Sequence, residues 1–187
     1  MSTLGIYIHV PFCGKKCGYC DFYSVCYNKE QAELYVSAVL RTLRRRSDHS
    51  RTTDTLYFGG GTPSLLTAAQ IGSIVTEVRR SFELSPDAEI TLEANPNTLT
   101  AEKLAELRKA GVNRLSVGVQ SMNESELRLL GRSHTVSRAE KAVLDSAAAG
   151  FDNISCDLML GLPEQSAESL EYSIERLTAL PIQHISA

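Results

Sequence analysis

The chain alternates short apolar segments with amphipathic ones, and this alternation constrains its fold more than any other feature. Six short runs are rich in apolar or β-branched residues, which is typical of strands buried in a parallel sheet. The segments between them have the spacing of amphipathic helices. Strands followed by helices predict an α/β fold built from right-handed βαβ units. The predicted strands are residues 5–10, 55–58, 89–92, 114–119, 154–160 and 184–186, and the predicted helices are residues 30–46, 67–82, 101–110, 124–130, 138–149 and 167–180.

Boundary signals support several of these helices. The pairs Thr67 with Gln70 and Ser137 with Glu140 have the spacing of a capping box, which predicts two helix starts. Gly111 stands where a glycine commonly ends a helix. We therefore expect the helix ends to be close to the predicted positions.

Unusual residues directly follow five of the predicted strands. These segments are residues 9–13, 59–63, 93–96, 120–121 and 161–163, and they are rich in Gly, Pro and polar side chains. The carboxyl ends of parallel strands meet at one edge of the sheet, and this edge carries the active site in both open and barrel-type α/β folds. We therefore expect a functional site at this edge, whether the sheet is open or closed.

Composition excludes several functional classes. The 187 residues correspond to about one domain, and 43% hydrophobic with 22% charged residues is typical of a globular protein. The net charge of −3 gives no basic footprint, so we expect no nucleic-acid partner. No apolar run approaches the roughly 20 residues that span a bilayer, and no secretory signal is evident. We therefore expect a cytoplasmic protein.

Three of the five cysteines form a C-x3-C-x2-C cluster, Cys13, Cys17 and Cys20, after the first predicted strand. An odd number of cysteines does not suit a disulfide scaffold. Three thiolates can hold a [4Fe–4S] cluster and leave one iron open to a ligand, whereas electron-transfer clusters usually have four cysteines. The alternative is a zinc site with Cys26 as fourth ligand, although zinc motifs usually pair two separate halves.

These motifs together resemble the radical S-adenosylmethionine superfamily. The resemblance rests on the cysteine cluster with Tyr19 and on the Gly-Gly-Gly-Thr-Pro turn at residues 59–63. Within the superfamily the chain resembles the branch of oxygen-independent coproporphyrinogen oxidases and HemW-type haem chaperones. The segments that carry this closer resemblance are Tyr-Ile-His-Val-Pro-Phe-Cys, Glu-Ala-Asn-Pro, Gly-Val-Gln-Ser and Asp-Leu-Met-Leu-Gly-Leu-Pro.

The resemblance implies a partial (β/α)6 TIM-like barrel that stops at strand six. Residues 1–187 would then form an incomplete radical S-adenosylmethionine core domain that lacks the C-terminal region of the family. It also implies that Cys13, Cys17 and Cys20 bind a [4Fe–4S] cluster whose open iron holds S-adenosylmethionine. One electron would cleave this cofactor to methionine and a 5′-deoxyadenosyl radical.

The first group of implied cofactor-binding residues follows the second and third strands. Gly60, Gly61 and Thr62 would bring backbone and a hydroxyl to the methionyl end of the cofactor. Glu93 would accept a hydrogen bond from its ammonium or ribose. Without the resemblance, Glu93 could equally cap the next turn.

The second group is dispersed along the chain. Gln120 would contact the ribose, and Arg132 would pair with the cofactor carboxylate. Tyr7 and Tyr19 would flank the cofactor, and Asp157 would face the ribose. Gln120 could instead fill a polar layer of the sheet, and Arg132 could be a surface residue. No residue is assigned a separate catalytic role.

Phe22 distinguishes between the two activities of this branch. The coproporphyrinogen oxidases have a cysteine two residues after the third cluster ligand, and this chain has Phe22 there. The resemblance therefore favours a haem chaperone, with coproporphyrinogen III oxidation as one alternative and a zinc-stabilised binding module as another. It implies haem or porphyrin as cargo, an electron donor protein, a haem-acceptor protein, and peripheral contact with membrane-bound acceptors.

Overall fold

The computed structural model describes residues 3–187, and its centre is a six-stranded sheet in which all neighbouring strands are parallel. The order of strands in this sheet is β1-β4-β5-β6-β7-β8, and β2 and β3 form a separate two-residue pair. The strands are β1 (Leu4–Val10), β2 (Phe12–Cys13), β3 (Val25–Cys26), β4 (Asp48–Gly60), β5 (Phe82–Ala94), β6 (Arg114–Gln120), β7 (Ile154–Leu158) and β8 (His184–Ser186).

Helices separate consecutive strands of the large sheet. They are α1 (Lys29–Arg45), α2 (Ala68–Ser81), α3 (Ala101–Lys109), α4 (Glu124–Leu129), α5 (Val136–Ala148) and α6 (Ala167–Thr178). Because strands that neighbour each other in the sheet also follow one another along the chain, the topology is that of a β/α barrel. Within residues 3–187, β1 and β8 are the edges, so the sheet is part of a barrel. The predicted α/β partial barrel is therefore confirmed. No helix in the described range is long and apolar enough to cross a membrane.

The core lies between the sheet and its helices. Leu56 and Phe58 of β4 and Leu92 of β5 are fully buried, as are Ile71 and Ile74 of α2. Burial of each such side chain contributes about 1.5–3 kcal/mol. This packing holds the strands, and therefore the loops at their carboxyl ends, in fixed positions.

The two predicted capping boxes have different outcomes. Thr67 and Gln70 form the complete box at the start of α2, as predicted. The prediction for Ser137 and Glu140 is wrong, because Thr135 caps α5 and its hydroxyl accepts a hydrogen bond from the backbone N–H of Arg138. The threonine two residues earlier satisfies the first-turn donor, so the helix begins at Val136 rather than at residue 138.

Several strand boundaries also differ from the prediction. β4 begins at Asp48 and β5 at Phe82, where these two residues pair across the sheet. The early part of β4 is mostly exposed, so its pairing leaves no apolar pattern to detect. β7 ends at Leu158, and the apolar residues that follow belong to a loop.

Candidate functional site

A cavity of about 550 Å³ lies at the carboxyl ends of the parallel strands. It is lined by eleven of the twelve residues that the sequence assigns to the cluster and cofactor: Cys13, Cys17, Tyr19, Cys20, Gly60, Gly61, Thr62, Glu93, Gln120, Arg132 and Asp157. Tyr7 is not among the lining residues, and its role stays a prediction. The fold therefore collects side chains from positions 13 to 157 around one space.

The cysteine loop runs between β2 and β3. Cys13, Cys17 and Cys20 are partly buried in the cavity wall. The backbone N–H of Cys20 donates to the carbonyl of Cys17 at 3.2 Å, which closes a turn between two of the three thiols. The N–H of Tyr27 donates to the carbonyl of Cys13 at 2.9 Å and ties the two ends of the loop together.

The glycine turn after β4 is attached directly to the cysteine loop. Backbone N–H groups of Gly61 and Thr62 donate to the carbonyls of Val10 and Phe12 at 2.8 and 2.6 Å. A Cβ on Gly61 would lie 2.6 Å from the Phe12 oxygen and 3.1 Å from the Sγ of Cys13. Glycine is therefore required here by the chain's own packing, a reason that the sequence did not reveal.

His9 supports the same turn from β1 and was not predicted as part of the site. Gly60 has φ of +113°, and a Cβ there would lie 2.6 Å from the His9 ring. Nε2 of His9 lies 3.0 Å from the Tyr23 carbonyl, and Nδ1 lies 3.3 Å from the Tyr7 hydroxyl. Because a carbonyl only accepts, a neutral ring donates from Nε2 and accepts at Nδ1. His9 thus links β1 to the end of the cysteine loop.

Glu93 is held by two donors at the end of β5. Its Oε1 accepts a hydrogen bond from the Tyr57 hydroxyl at 2.9 Å, and its Oε2 accepts from the Gly60 N–H at 3.0 Å. Burial raises the pKa of the carboxyl, although both hydrogen bonds act in the opposite direction. Asn95, not Glu93, caps the following turn, so the alternative interpretation of Glu93 as a cap is wrong.

Gln120 and Asp157 line the cavity from neighbouring strands. Gln120 has φ of +74° at the end of β6, a left-handed conformation that is uncommon for residues other than glycine. Asp157 accepts a hydrogen bond from the Ser116 hydroxyl at 3.0 Å, and burial raises the pKa of its carboxyl. Strained backbone and a buried carboxylate are both typical of ligand-binding positions.

Arg132 connects the cysteine loop to the sheet. Its Nη2 donates to the Gly118 carbonyl at 2.7 Å, and its Nη1 lies 3.7 Å from the Sγ of Cys17 and 3.4 Å from the hydroxyl of Tyr19. Its Nε is buried without a partner among residues 3–187. Burial raises the pKa of Tyr19 to about 12. An arginine with an unused buried donor in the cavity wall suits an anionic ligand.

The donor set fits an iron–sulfur cluster with a bound cofactor. The Thr62 hydroxyl lies 3.8 Å from the Sγ of Cys13, and the Arg132 guanidinium lies 3.7 Å from the Sγ of Cys17. Both contacts stabilise a thiolate. In the described part of the chain, no three His, Cys, Asp or Glu side chains surround a position for a single metal ion. A cubane does not require that arrangement, because each cysteine binds a different iron.

Other lining residues were not predicted. Asn95, Asn97 and Ser133 also line the cavity, and Lys15 and Lys16 line it within the cysteine loop. Asn95 belongs to the Glu-Ala-Asn-Pro segment, so its position directly after a strand was an available signal. Nothing in the spacing of Asn97 or Ser133 indicates the site, because they reach it through loops.

These features define a class of protein: a parallel α/β partial barrel with a cysteine loop and a cofactor-sized cavity at the carboxyl ends of its strands. The chain belongs to the Radical SAM superfamily, whose family model matches residues 7–177. Members of this family are expected to bind a [4Fe–4S] cluster and S-adenosylmethionine.

Curated relatives match along essentially the whole chain. The heme chaperone HemW of Escherichia coli (strain K12) is 39% identical over 100% of this chain and 50% of its own length. HemW of Mycobacterium tuberculosis (strain ATCC 25618 / H37Rv) is 37% identical over 100% of the chain and 49% of its own length. Residues 1–187 therefore span about half the length of these relatives.

A solved structure shares the architecture closely. Coproporphyrinogen III oxidase (HemN) from Escherichia coli, described as a radical SAM enzyme, superimposes with a TM-score of 0.88 at 30% sequence identity. The match covers 98% of this chain and 44% of that protein. The partial barrel predicted from sequence is thus the architecture of a known radical SAM protein.

Proposed function

We propose that the protein containing this chain is a haem chaperone that binds a [4Fe–4S] cluster and S-adenosylmethionine and delivers haem to acceptor proteins. The observation that carries the proposal is the cavity, which brings three cysteines and a set of complementary polar groups together in a chain similar to HemW proteins throughout its length. The relatives are named heme chaperones, and the similarity covers half of each.

Within the cavity we assign the cluster to Cys13, Cys17 and Cys20. Arg132 would pair with the carboxylate of S-adenosylmethionine, because its guanidinium lines the cavity beside the Sγ of Cys17 and offers a planar set of donors. Glu93 and Thr62 would contact the methionyl end, while Gln120 and Asp157 would bind the ribose. When bound, the cluster and its cofactor supply an electron and a 5′-deoxyadenosyl radical.

Coproporphyrinogen III oxidation is the second candidate, and the similarity to HemN favours it. Phe22 argues against it, because Phe22 lines the cavity where the oxidases are expected to have cysteine. Its side chain is apolar and can neither ligate a metal nor transfer a proton. We therefore place haem binding ahead of porphyrinogen decarboxylation.

The remaining assignments follow from the same proposal. Haem is the cargo, an electron donor protein reduces the cluster, and a haem protein accepts the cargo, including acceptors that the chaperone meets at a membrane surface. We expect the protein to act in the cytoplasm and to bind no nucleic acid. The other alternative is a zinc-stabilised binding module, and analysis of the bound metal distinguishes it from the haem chaperone.

The test uses the full-length protein reconstituted anaerobically with iron and sulfide. We expect four irons and four sulfides per chain, saturable binding of S-adenosylmethionine, and haem binding of roughly micromolar affinity or tighter, which corresponds to about 8 kcal/mol. The same sample, reduced and supplied with coproporphyrinogen III, should form no protoporphyrinogen IX. Steady formation of that product would show that the protein is an oxidase and not a chaperone. Stoichiometric zinc without iron would favour the zinc-stabilised binding module.

A further inference from the structure

A buried polar network lies behind the cavity, outside the set of lining residues. At its centre is Glu126 of α4, whose side chain is 6% exposed. In the described residues no Lys, Arg or His side chain pairs with this carboxylate. A buried carboxylate without a cation depends entirely on hydrogen-bond donors for its stabilisation. The network therefore needs an explanation that the core packing does not provide.

Three donors from three different segments meet at Glu126. The Ser121 hydroxyl donates to Oε2 at 2.6 Å, and the Gln165 amide donates to the same oxygen at 3.3 Å. The Ser169 hydroxyl donates to Oε1. Ser121 follows β6, Gln165 belongs to the loop after β7, and Ser169 lies in α6. Glu126 thus joins elements that are separated by up to 43 residues along the chain.

The connection to the cavity passes through Gln120. Ser121 is fully buried and directly follows Gln120, whose backbone is in the left-handed region. The Gln120 carbonyl accepts a hydrogen bond from the Met159 N–H at 2.9 Å. Gln165 in turn donates to the Met159 carbonyl at 3.2 Å. Ser121, which follows Gln120, and Met159, which donates to its carbonyl, are therefore both connected to Glu126 by hydrogen bonds.

Gln165 also fixes the loop that follows Met159. Its Oε1 accepts hydrogen bonds from the backbone N–H groups of Gly161 and Leu162 at 2.9 and 3.4 Å. Since a left-handed backbone is disfavoured for glutamine, it persists only where the surroundings hold it. The groups described above hold the backbone that follows Gln120 and its own carbonyl.

From this geometry we propose that Glu126 is a positioning residue: through Ser121 and Gln165 it holds Gln120 in its strained conformation and so orients the Gln120 amide toward bound S-adenosylmethionine. The inference rests on the proposed cofactor site, in which Gln120 contacts the ribose. Glu126 itself does not line the cavity, so its influence on the cofactor is indirect.

The test measures the dissociation constant for S-adenosylmethionine in the reconstituted full-length protein, together with iron content and the thermal unfolding midpoint. In Glu126→Gln the side-chain nitrogen cannot accept a hydrogen bond, so at least one donor loses its acceptor. We expect about tenfold weaker binding with four irons retained. The control is Glu171→Gln, the same chemical change at an exposed position of α6, which should leave the dissociation constant unchanged.

A double-mutant cycle separates positioning from general stability. If Glu126 acts through Gln120, Glu126→Gln should change the affinity less than about twofold in a Gln120→Ala background. Equal weakening in both backgrounds, or unchanged affinity in Glu126→Gln, would overturn the inference. If Glu126→Gln does not fold, Ser121→Ala replaces it in the same cycle. Failure of the four-iron wild type to bind S-adenosylmethionine would instead overturn the proposed cofactor site, and this inference with it.

Discussion

The Nη1 of Arg132 lies 3.7 Å from the Sγ of Cys17, although 115 residues separate them in the chain. The contact joins the cysteine loop between β2 and β3 to the segment after α4. The Nη2 of Arg132 donates to the Gly118 carbonyl at 2.7 Å, and this hydrogen bond restricts the orientation of the guanidinium. A fixed cation beside a thiol stabilises the thiolate that metal binding requires.

Replacement of Arg132 by lysine should weaken S-adenosylmethionine binding about tenfold or more, because an ammonium cannot satisfy Gly118 and a carboxylate with the same planar fork. Iron content should stay at four per chain. Equilibrium binding to the reconstituted protein measures the effect, and Arg128→Lys, a change at an exposed arginine of the preceding helix α4, is the matched control. Equal affinities in the two variants would remove Arg132 from the cofactor site.

The cysteines provide the second prediction. Cys17→Ala should lose the intact cluster, whereas Cys26→Ser should keep it, since Cys26 is exposed and outside the cavity lining. Cys26 lies opposite Cys13 in the register of β2 and β3, so Cys26→Ser is a suitable control for loss of a thiol close to the loop. Iron, sulfide and zinc are measured after anaerobic reconstitution. Four irons per chain in Cys17→Ala, or loss of iron in Cys26→Ser, would contradict the assignment of Cys13, Cys17 and Cys20 as the cluster ligands.

Gly61→Ala should destabilise the protein by about 1–3 kcal/mol, because the new methyl group meets the Phe12 backbone and must displace it. The cluster should become labile as well, since the same methyl group lies 3.1 Å from the Sγ of Cys13. Gly18→Ala is the control, because a Cβ at Gly18 has nothing within 4 Å. Urea unfolding and iron retention measure both effects, and identical behaviour of the two variants would contradict this interpretation of the turn.

Much of this site could be predicted because its chemistry lies in short segments directly after strands. Parallel topology alone brings the cysteine loop, Glu93 and Gln120 to one edge of the sheet. His9 lies in one of these segments but its role could not be found in this way, and Glu126 lies outside all of them. His9 matters because β1 and β4 approach closely at Gly60, and Glu126 matters because three distant segments meet there. Such contacts depend on tertiary packing and leave no local pattern.

The first residue of a helix is also difficult to predict from local sequence alone. Several residues near the beginning of α5 can cap a helix, and spacing alone favours Ser137 over Thr135. The choice depends on how the chain passes from α4 to α5, where the Val136 N–H donates to Oε1 of Glu124 at 2.8 Å. The fold class tolerates such errors, because the strand order does not depend on one turn of helix.

His134 should make the stability of the protein depend on pH. It is 4% exposed, its Nε2 donates to the Val119 carbonyl at 3.1 Å, and its Nδ1 has no partner among the described residues. Burial, with help from the nearby Arg132, lowers the pKa of His134 to about 4. In the unfolded chain the histidine pKa is about 6.5. Between these values the unfolded state binds the extra proton, so stability falls as the pH falls.

From pH 7 to pH 5 the wild type should therefore lose about 2 kcal/mol more of its free energy of unfolding than His134→Gln does. The glutamine amide can still donate to Val119 but carries no charge in this range. Urea unfolding under anaerobic conditions at several pH values measures the difference. His49→Gln, a change at an exposed histidine, should follow the wild-type curve. If His134→Gln lost stability in parallel with the wild type, the acid sensitivity would have to arise from other groups, and His134 would take up its proton to the same extent in the folded and unfolded states.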